Sequence, residues 1–323
     1  MSRLARRSLL ALPLLAALPA RAQDAGFASF LEGVRGEARR AGVSNATLQR
    51  ALTNIRHNDR IIELDRRQPE GTMAWETYRD RIVSQTRIDN GRRMAMENRP
   101  LLQSLEARFR VPGRVMLAIW GMESNYGQNT GGFGVVEALA TLAYDGRRSS
   151  YFRGELISAL RILEAGHIAP ERMRGSWAGA MGQPQFMPTS FERLAVDADG
   201  DGRKDIWDSR ADALGSIGNY LARNGWREEE RWGREVLIPA GFDTRSANRD
   251  NIRPLREWAR MGVVQMDGSP LPASDVPGAV LVPGSETGSL QAFVVYHNFN
   301  VIRRYNSPNF YALAVGMLSD RVA

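Results

Sequence analysis

Glu123 stands near the end of the segment Arg114–Tyr126, which reads RVMLAIWGMESNY. Val115, Ile119, Met122 and Glu123 follow one another at helical spacing and share one side of a helix. The pattern predicts a carboxyl that points with an apolar stripe, just before a glycine-rich loop over Gly127–Gly134. A carboxyl stripped of water keeps its proton to higher pH. Close to neutrality it can hand that proton to a leaving oxygen, which is the work of a general acid in glycoside cleavage. On spacing alone the alternative is a glutamate paired with one of the chain's many arginines. Glu137 and Glu155 fall on neighbouring helical segments and are candidate partner carboxylates, although their contexts favour structural roles.

The stretch Asp197–Asp208 offers a different chemistry. Asp197, Asp199, Asp201, Asp205 and Asp208 occupy loop positions 1, 3, 5, 9 and 12, with Gly202 at position 6. This is the spacing of an EF-hand calcium loop, in which Arg203 at position 7 lends its backbone carbonyl. Five carboxylates so placed repel one another unless a cation joins them. An aspartate at position 12 has a shorter reach than glutamate, which leaves open whether Asp208 binds through one oxygen or two. The expected role of Ca2+ is structural, pinning the loop between Phe191 and a helix over Ser209–Asn224. The competing reading is an acidic surface turn.

The elements that must position these groups are mostly helical. Apolar residues recur at three- and four-residue spacing in Phe27–Gly42, Asn45–Asn54, Tyr78–Phe109, Arg114–Tyr126, Val135–Tyr144, Arg153–Ala165, Ser209–Asn224 and Phe310–Leu318. Between Arg231 and Pro283 the texture changes to short β-prone pieces separated by Gly, Pro, Asp and Asn, and Leu290–Tyr296 is strand-like.

Composition narrows the classes further. The 323 residues contain no cysteine, which removes disulfides, thiolate catalysis and cysteine-ligated metal centres. His57, His167 and His297 are far apart, so a histidine-rich metal site is not expected. Of the 43 basic residues, Arg3, Arg6, Arg7 and Arg21 lie in residues 1–22, where there is no acid, leaving 39 basic against 36 acidic residues. Lys204 is the sole lysine, and no basic run with interleaved aromatics suggests nucleic acid.

Residues 1–22 have the order of an export signal: a basic start, the apolar run Leu9–Leu18 and the small residues of Ala20-Arg21-Ala22. The expected cut follows Ala22 and leaves no membrane anchor. Arg6-Arg7 leaves the Sec and twin-arginine routes both open. The chain is therefore expected to be a soluble periplasmic protein.

Two blocks, Glu123-Ser124-Asn125-Tyr126-Gly127 and Trp177–Ser190, resemble the signature blocks of lysozyme-like lytic transglycosylases. The run Ala-Gly-Ala-Met-Gly at 178–182, the Gln-Phe-Met-Pro at 185–188 and the aspartate-rich loop are similar to the membrane-bound lytic murein transglycosylase B family. Glu137–Leu142, Arg147-Arg148, Gly215–Trp226 and Arg304-Tyr305-Asn306 extend the likeness from about Ile55 to the end. Gln183-Pro184 stand where the family often has an aromatic residue and a glycine.

The resemblance implies a mainly α (α+β) fold. A lysozyme-like catalytic core over 104–230 would follow an N-terminal helical region over 23–103, with a small β-containing subdomain over 231–290 and a C-terminal segment over 291–323 completing the cleft. It implies cleavage of the β-1,4 bond between MurNAc and GlcNAc in peptidoglycan, with formation of a 1,6-anhydro end and Glu123 as the single acid and base. It also implies that Ser176, Gln185, Tyr220, Tyr305, Asn306 and Tyr311 line the sugar cleft, with Arg147 and Arg148 facing carboxylates of the muramyl unit. Other cell-wall enzymes are candidate partners. The rivals are a calcium-dependent murein-binding or scaffolding protein without catalysis, and a conventional hydrolase.

Overall fold

The computed structural model describes residues 18–67, 73–284 and 290–322. Most of the export-signal expectation, residues 1–17, lies outside them. The helices run in the order α1 (Leu18–Arg40), α2 (Asn45–Leu52), α3 (Asp59–Arg66), α4 (Trp75–Ile82), α5 (Gln85–Glu97), α6 (Arg99–Phe109), α7 (Gly113–Ser124), α8 (Val135–Asp145) and α9 (Ser149–Glu164). They continue with α10 (Pro188–Leu194), α11 (Arg210–Arg223), α12 (Leu255–Arg260), α13 (His297–Tyr305) and α14 (Asn309–Arg321). Strands β1 (Phe133–Gly134) and β2 (Arg174–Gly175) form a short antiparallel ribbon. β3 (Gly233–Leu237), β4 (Arg253–Pro254), β5 (Val264–Gln265), β6 (Pro277–Leu281) and β7 (Ala292–Val295) make an antiparallel sheet in the order β4-β6-β7-β3-β5.

The single helical stretch expected over Tyr78–Phe109 is three helices. Ser84 caps α5 by accepting from the Arg87 amide, and Asn98 ends it, its side-chain amide donating to the Met94 carbonyl at 2.8 Å. Pro100 then occupies the first turn of α6, where its missing N–H costs nothing. These side chains offer the backbone local partners that compete with an unbroken helix.

Helix α7 is the axle of the larger core. Val115 to Gly121 are all buried, so the one-sided stripe of the sequence reading is a helix covered all round. Its cover comes from α5, α6, α11 and α14. A second core gathers α1, α2, α3, α8, α9 and α10. Phe27, Leu31, Val34 and Ala38 supply the buried face of α1, and a cut after Ala22 would leave that face whole.

The β-sheet is buried on both sides. Ala279, Leu281, Phe293 and Val295 face the α7 core, while Val280, Val282, Ala292 and Val294 face a smaller cluster with Trp258 of α12. Alternation along the strands sends successive side chains into different cores. β7, placed by the sequence reading in the C-terminal segment, pairs with both β3 and β6 and so ties that segment to the β-region. Among the described residues, no helix is long and apolar enough to cross a membrane.

Candidate active site

Glu123 occupies the last turn of α7, and the chain reverses immediately after it. Asn125 and Tyr126 both adopt left-handed backbone, φ 49° and 59°, a conformation that costs a non-glycine residue of the order of 1 kcal/mol or more. Buried Ser124 holds the turn: its hydroxyl donates to the Trp120 carbonyl at 3.2 Å and accepts from the Gly127 amide at 3.0 Å. The Tyr126 ring meets Trp120 edge-on at 5.6 Å, and its hydroxyl donates to the Arg87 carbonyl at 2.9 Å. Gly121 makes this return possible, since a Cβ there would lie 2.5 Å from the Tyr126 ring. The Glu-Ser-Asn-Tyr-Gly run is thus a device for ending a buried helix at its carboxylate.

The second block lies against this turn. Gly131, at φ +93°, has no space for a Cβ, which would fall 2.1 Å from the Gly175 carbonyl oxygen. The β1–β2 ribbon joins the two segments, and the Gln185 amide donates to the Thr130 carbonyl at 3.0 Å. Gln183 is buried and bridges three places. Its Oε1 accepts from Trp120 at 2.8 Å, its Nε2 donates to the Trp207 carbonyl at 2.9 Å, and its amide donates to the Ile206 carbonyl. This departure from the family pattern therefore braces α7 against the aspartate-rich loop.

Glu123 retains some exposed surface, yet protein atoms crowd its carboxyl. Lost hydration raises its pKa to about 7, opposed by a 2.6 Å hydrogen bond that the Tyr311 hydroxyl donates to Oε1. Tyr78, Tyr305 and Tyr311 all feel the Glu123 charge, which adds to burial in raising their own pKa values. Tyr311 projects from α14 and Tyr305 from the end of α13. Tyr305 donates to the Pro184 carbonyl at 2.6 Å, and its ring lies 4.6 Å from that of Tyr220, which donates to the Arg304 carbonyl. A carboxyl ringed by phenols at an aromatic wall can exchange a proton near neutral pH.

The remaining sequence-derived residues divide. Ser176 closes its own turn, its hydroxyl accepting from the amides of Ala178 and Ala180, and Asn306 is exposed at the end of α13. Arg147 and Arg148 both clamp buried Asp65 of α3, at 2.7 and 2.8 Å, while remaining about half exposed. Glu155 accepts from both the amide and the hydroxyl of Thr189, capping the start of α10. Tyr78 sits near Glu123 and gave no signal in the sequence, because nothing local distinguishes it from other aromatic residues of an amphipathic helix. A hollow of about 410 Å³ bordered by Arg161, His167 and Lys204 lies elsewhere, and its carboxylates Glu164 and Glu192 are engaged by Ser44 and Arg161.

The aspartate-rich loop gathers a different set from the one the spacing implied. Oxygens of Asp197, Asp199 and Asp212 all lie within 4.8 Å of one another. Asp212, on α11, is buried, and its carboxyl accepts from the amides of Ala198 and Asp205 at 2.7 and 2.6 Å. Burial raises its pKa and those amides oppose the rise. Asp201 turns to Arg203 at 3.0 Å, and Asp208 pairs with Arg172. Asp205 is occupied in capping the turn at Trp207 and Asp208. All-oxygen donors of this kind fit a hard divalent cation such as Ca2+. Asp212 was missed because it lies beyond the twelve-residue loop template, on the helix that follows.

The chain is similar to several known proteins. The family described as "Transglycosylase SLT domain" matches residues 26–320. Membrane-bound lytic murein transglycosylase B of Escherichia coli is 30% identical over 297 residues, covering 87% of this chain and 79% of that protein. SltB3 from Pseudomonas aeruginosa, solved in complex with NAG-NAM-pentapeptide, is 42% identical with a TM-score of 0.87, over 91% of this chain and 79% of that one. The Escherichia coli lytic transglycosylase Slt35, solved in complex with calcium, is 28% identical with a TM-score of 0.76, over 93% of each chain. The mainly helical, lysozyme-like architecture expected from the sequence is the one observed.

The raised pKa of Glu123 has a thermodynamic consequence. A folded-state value of about 7 against an ordinary 4.5 means that the folded protein holds a proton the unfolded chain has released, so this group lowers stability as pH rises through that interval. Glu123→Gln removes the effect. The variant should exceed the parent in unfolding free energy at pH 8, by up to about 3 kcal/mol, with the gain vanishing near pH 4.5. Denaturant titrations across that range check it, and a difference independent of pH would contradict the burial of the carboxyl.

Proposed function

The chain belongs to the transglycosylase SLT domain family, and from that premise we propose that this lytic transglycosylase of peptidoglycan uses Glu123 as its only acid and base. The carrying observation is a carboxyl with a pKa near 7 that is desolvated by burial and hydrogen-bonded by the neutral phenol of Tyr311, with no second carboxylate acting on it. Hydrolysis of a glycoside ordinarily uses two carboxyl groups about 5–10 Å apart. One carboxyl suffices when the nucleophile belongs to the substrate.

In the first step protonated Glu123 gives its proton to the oxygen linking MurNAc to GlcNAc, and the bond from the anomeric carbon to that oxygen breaks. The resulting carboxylate then takes the proton of the muramyl 6-hydroxyl as that oxygen bonds to the anomeric carbon. The products are a free GlcNAc 4-hydroxyl and a 1,6-anhydro-MurNAc end. Glu123 finishes protonated, and no water is consumed. A pKa near 7 serves both directions of proton transfer. Tyr311 donates to one oxygen, which stabilises the carboxylate formed between the two steps.

Tyr220 and Tyr305 offer ring faces to the sugars, while Ser176, Gln185 and Asn306 offer hydroxyl and amide groups from the same blocks. We assign Arg147 and Arg148 to the anionic groups of the muramyl unit, with Asp65 holding both in place. Bound Ca2+ would be held by Asp197, Asp199 and Asp212, and Asp201, Asp208 and the Arg203 carbonyl would join them once Asp201 leaves the Arg203 side chain and Asp208 leaves Arg172. Its role is to fix the loop that Gln183 braces against α7. We assign residues 1–22 to an export signal, a reading that supports a periplasmic location, where murein lies.

Mass spectrometry of a murein digest tests the chemistry. The parent should release muropeptides with anhydro ends, lighter by one water than hydrolysis products, and Glu123→Gln should release none. Muropeptides with reducing ends would refute the single-carboxyl route. Calcium is tested separately. At a hundredfold excess over Kd it should add about 2.7 kcal/mol to stability. Thermal unfolding of Asp212→Asn should lose that response, and a parent Tm indifferent to chelator would remove calcium from the account.

A further inference from the structure

Gln183, 6% exposed, lies between the carboxyl at the end of α7 and the acidic cluster of the aspartate-rich loop. On the α7 side its Oε1 accepts from the Trp120 indole at 2.8 Å, one turn before Glu123. The same oxygen lies over Gly127, where a Cβ would fall 2.7 Å from it. One atom thus touches the chain just before and just after the reversal that follows Glu123. That reversal is the strained part of the site. Asn125 and Tyr126 hold left-handed backbone, which persists only where the surroundings over-determine it.

On its other side Gln183 faces the loop. Its Nε2 donates to the Trp207 carbonyl and its amide to the Ile206 carbonyl, each at 2.9 Å. Gly182, at φ +62°, leaves no room for a Cβ, which would fall 2.7 Å from the same Ile206 oxygen. The bonds continue to the acidic cluster. The Trp207 amide donates to Asp205 at 3.1 Å, the Asp205 amide donates to Asp212 at 2.6 Å, and Asp212 stands with Asp197 and Asp199. Without a cation these three carboxylates repel one another, and the amides of Ala198, Asp199 and Asp205 hold Asp212 against that force. A divalent cation reverses its sign and draws Asp212, with the Asp205 amide bonded to it, toward the loop.

We propose that Gln183 is a positioning residue through which a divalent cation at Asp197, Asp199 and Asp212 holds the turn that follows Glu123. The effect is mutual. Whatever order the cation adds to the turn, the ordered turn returns as affinity for the cation. The proposal rests on the reading of the aspartate cluster as a calcium site and deepens it, because the cation then acts on the position of the acid as well as on its own loop.

Hydrogen exchange and calorimetry on the full chain, first freed of metal by a chelator, test it with Ca2+ as the probe. The Gly127 amide, which donates to Ser124 Oγ at 3.0 Å, reports the turn. Its exchange is read against buried amides of α9, which report global opening. In the parent, saturating Ca2+ should slow Gly127 relative to those amides by at least about fivefold, the lower end of ordinary couplings between sites. Gln183→Met keeps the length of the side chain and removes both of its hydrogen bonds. It should bring that relative slowing below about twofold and weaken Ca2+ binding by about fivefold or more, as reciprocity demands. A residue that merely fills space would alter Gly127 exchange equally with and without Ca2+. The Trp120 indole N–H resonance of the parent needs no variant that might fail to fold, and it should shift along the same saturation curve as calorimetric binding. Gly127 exchange indifferent to Ca2+, an indole resonance that does not follow the cation, or a slowing that survives Gln183→Met would overturn the proposal and leave the calcium site standing. A parent that binds no Ca2+ would remove the site and the proposal together.

Discussion

A carboxyl group kept out of water while still reachable by substrate is the constraint around which this protein is arranged. Desolvation alone would drive the Glu123 proton affinity higher still, and the Tyr311 hydroxyl moderates it from a helix almost two hundred residues away in sequence. Both halves of that balance depend on distant packing. α7 must be covered on all sides so that its final turn emerges from a dry core, and α14 must lie against it to bring Tyr311 into range.

The two signature blocks, the aspartate-rich loop and the C-terminal helices act on one another through a few polar braces. Gln183 links Trp120 on α7 to the loop at Ile206 and Trp207, and Asp212 holds that loop through its own amides. Tyr305 reaches back to the Pro184 carbonyl, so the second block is pinned from the opposite wall as well. The sheet contributes by filling space on both faces, with Phe293 in one core and Val294 in the other. Strain in the left-handed residues Asn125, Tyr126 and Gln185 is concentrated at the points where these parts meet.

Much of this was legible before any coordinates. The spacing of Val115, Ile119, Met122 and Glu123 located the carboxyl at the end of an apolar helix, because helical period is a local property. The recurrence of apolar residues at three- and four-residue spacing placed most of the other helices for the same reason. What escaped was non-local. The spacing around Asp197 gave the loop but not Asp212, whose contribution depends on where α11 packs. Nothing marked Tyr78 as a neighbour of Glu123, nor Asp65 as the clamp of two arginines, since both relations join separate helices. The interruption of Tyr78–Phe109 at Ser84 and Asn98 shows the opposite case, in which capping side chains present in the sequence outweighed an unbroken periodic pattern.

The ionisation of Glu123 can be followed directly, by carbon NMR of the protein labelled at glutamate carboxyls and assigned by comparison with Glu123→Gln. One carboxyl resonance should titrate with a midpoint near pH 7, and that midpoint should move to higher pH in Tyr311→Phe, where the stabilising hydrogen bond to the carboxylate is lost. A Glu123 resonance titrating near 4.5, unmoved by that substitution, would contradict it.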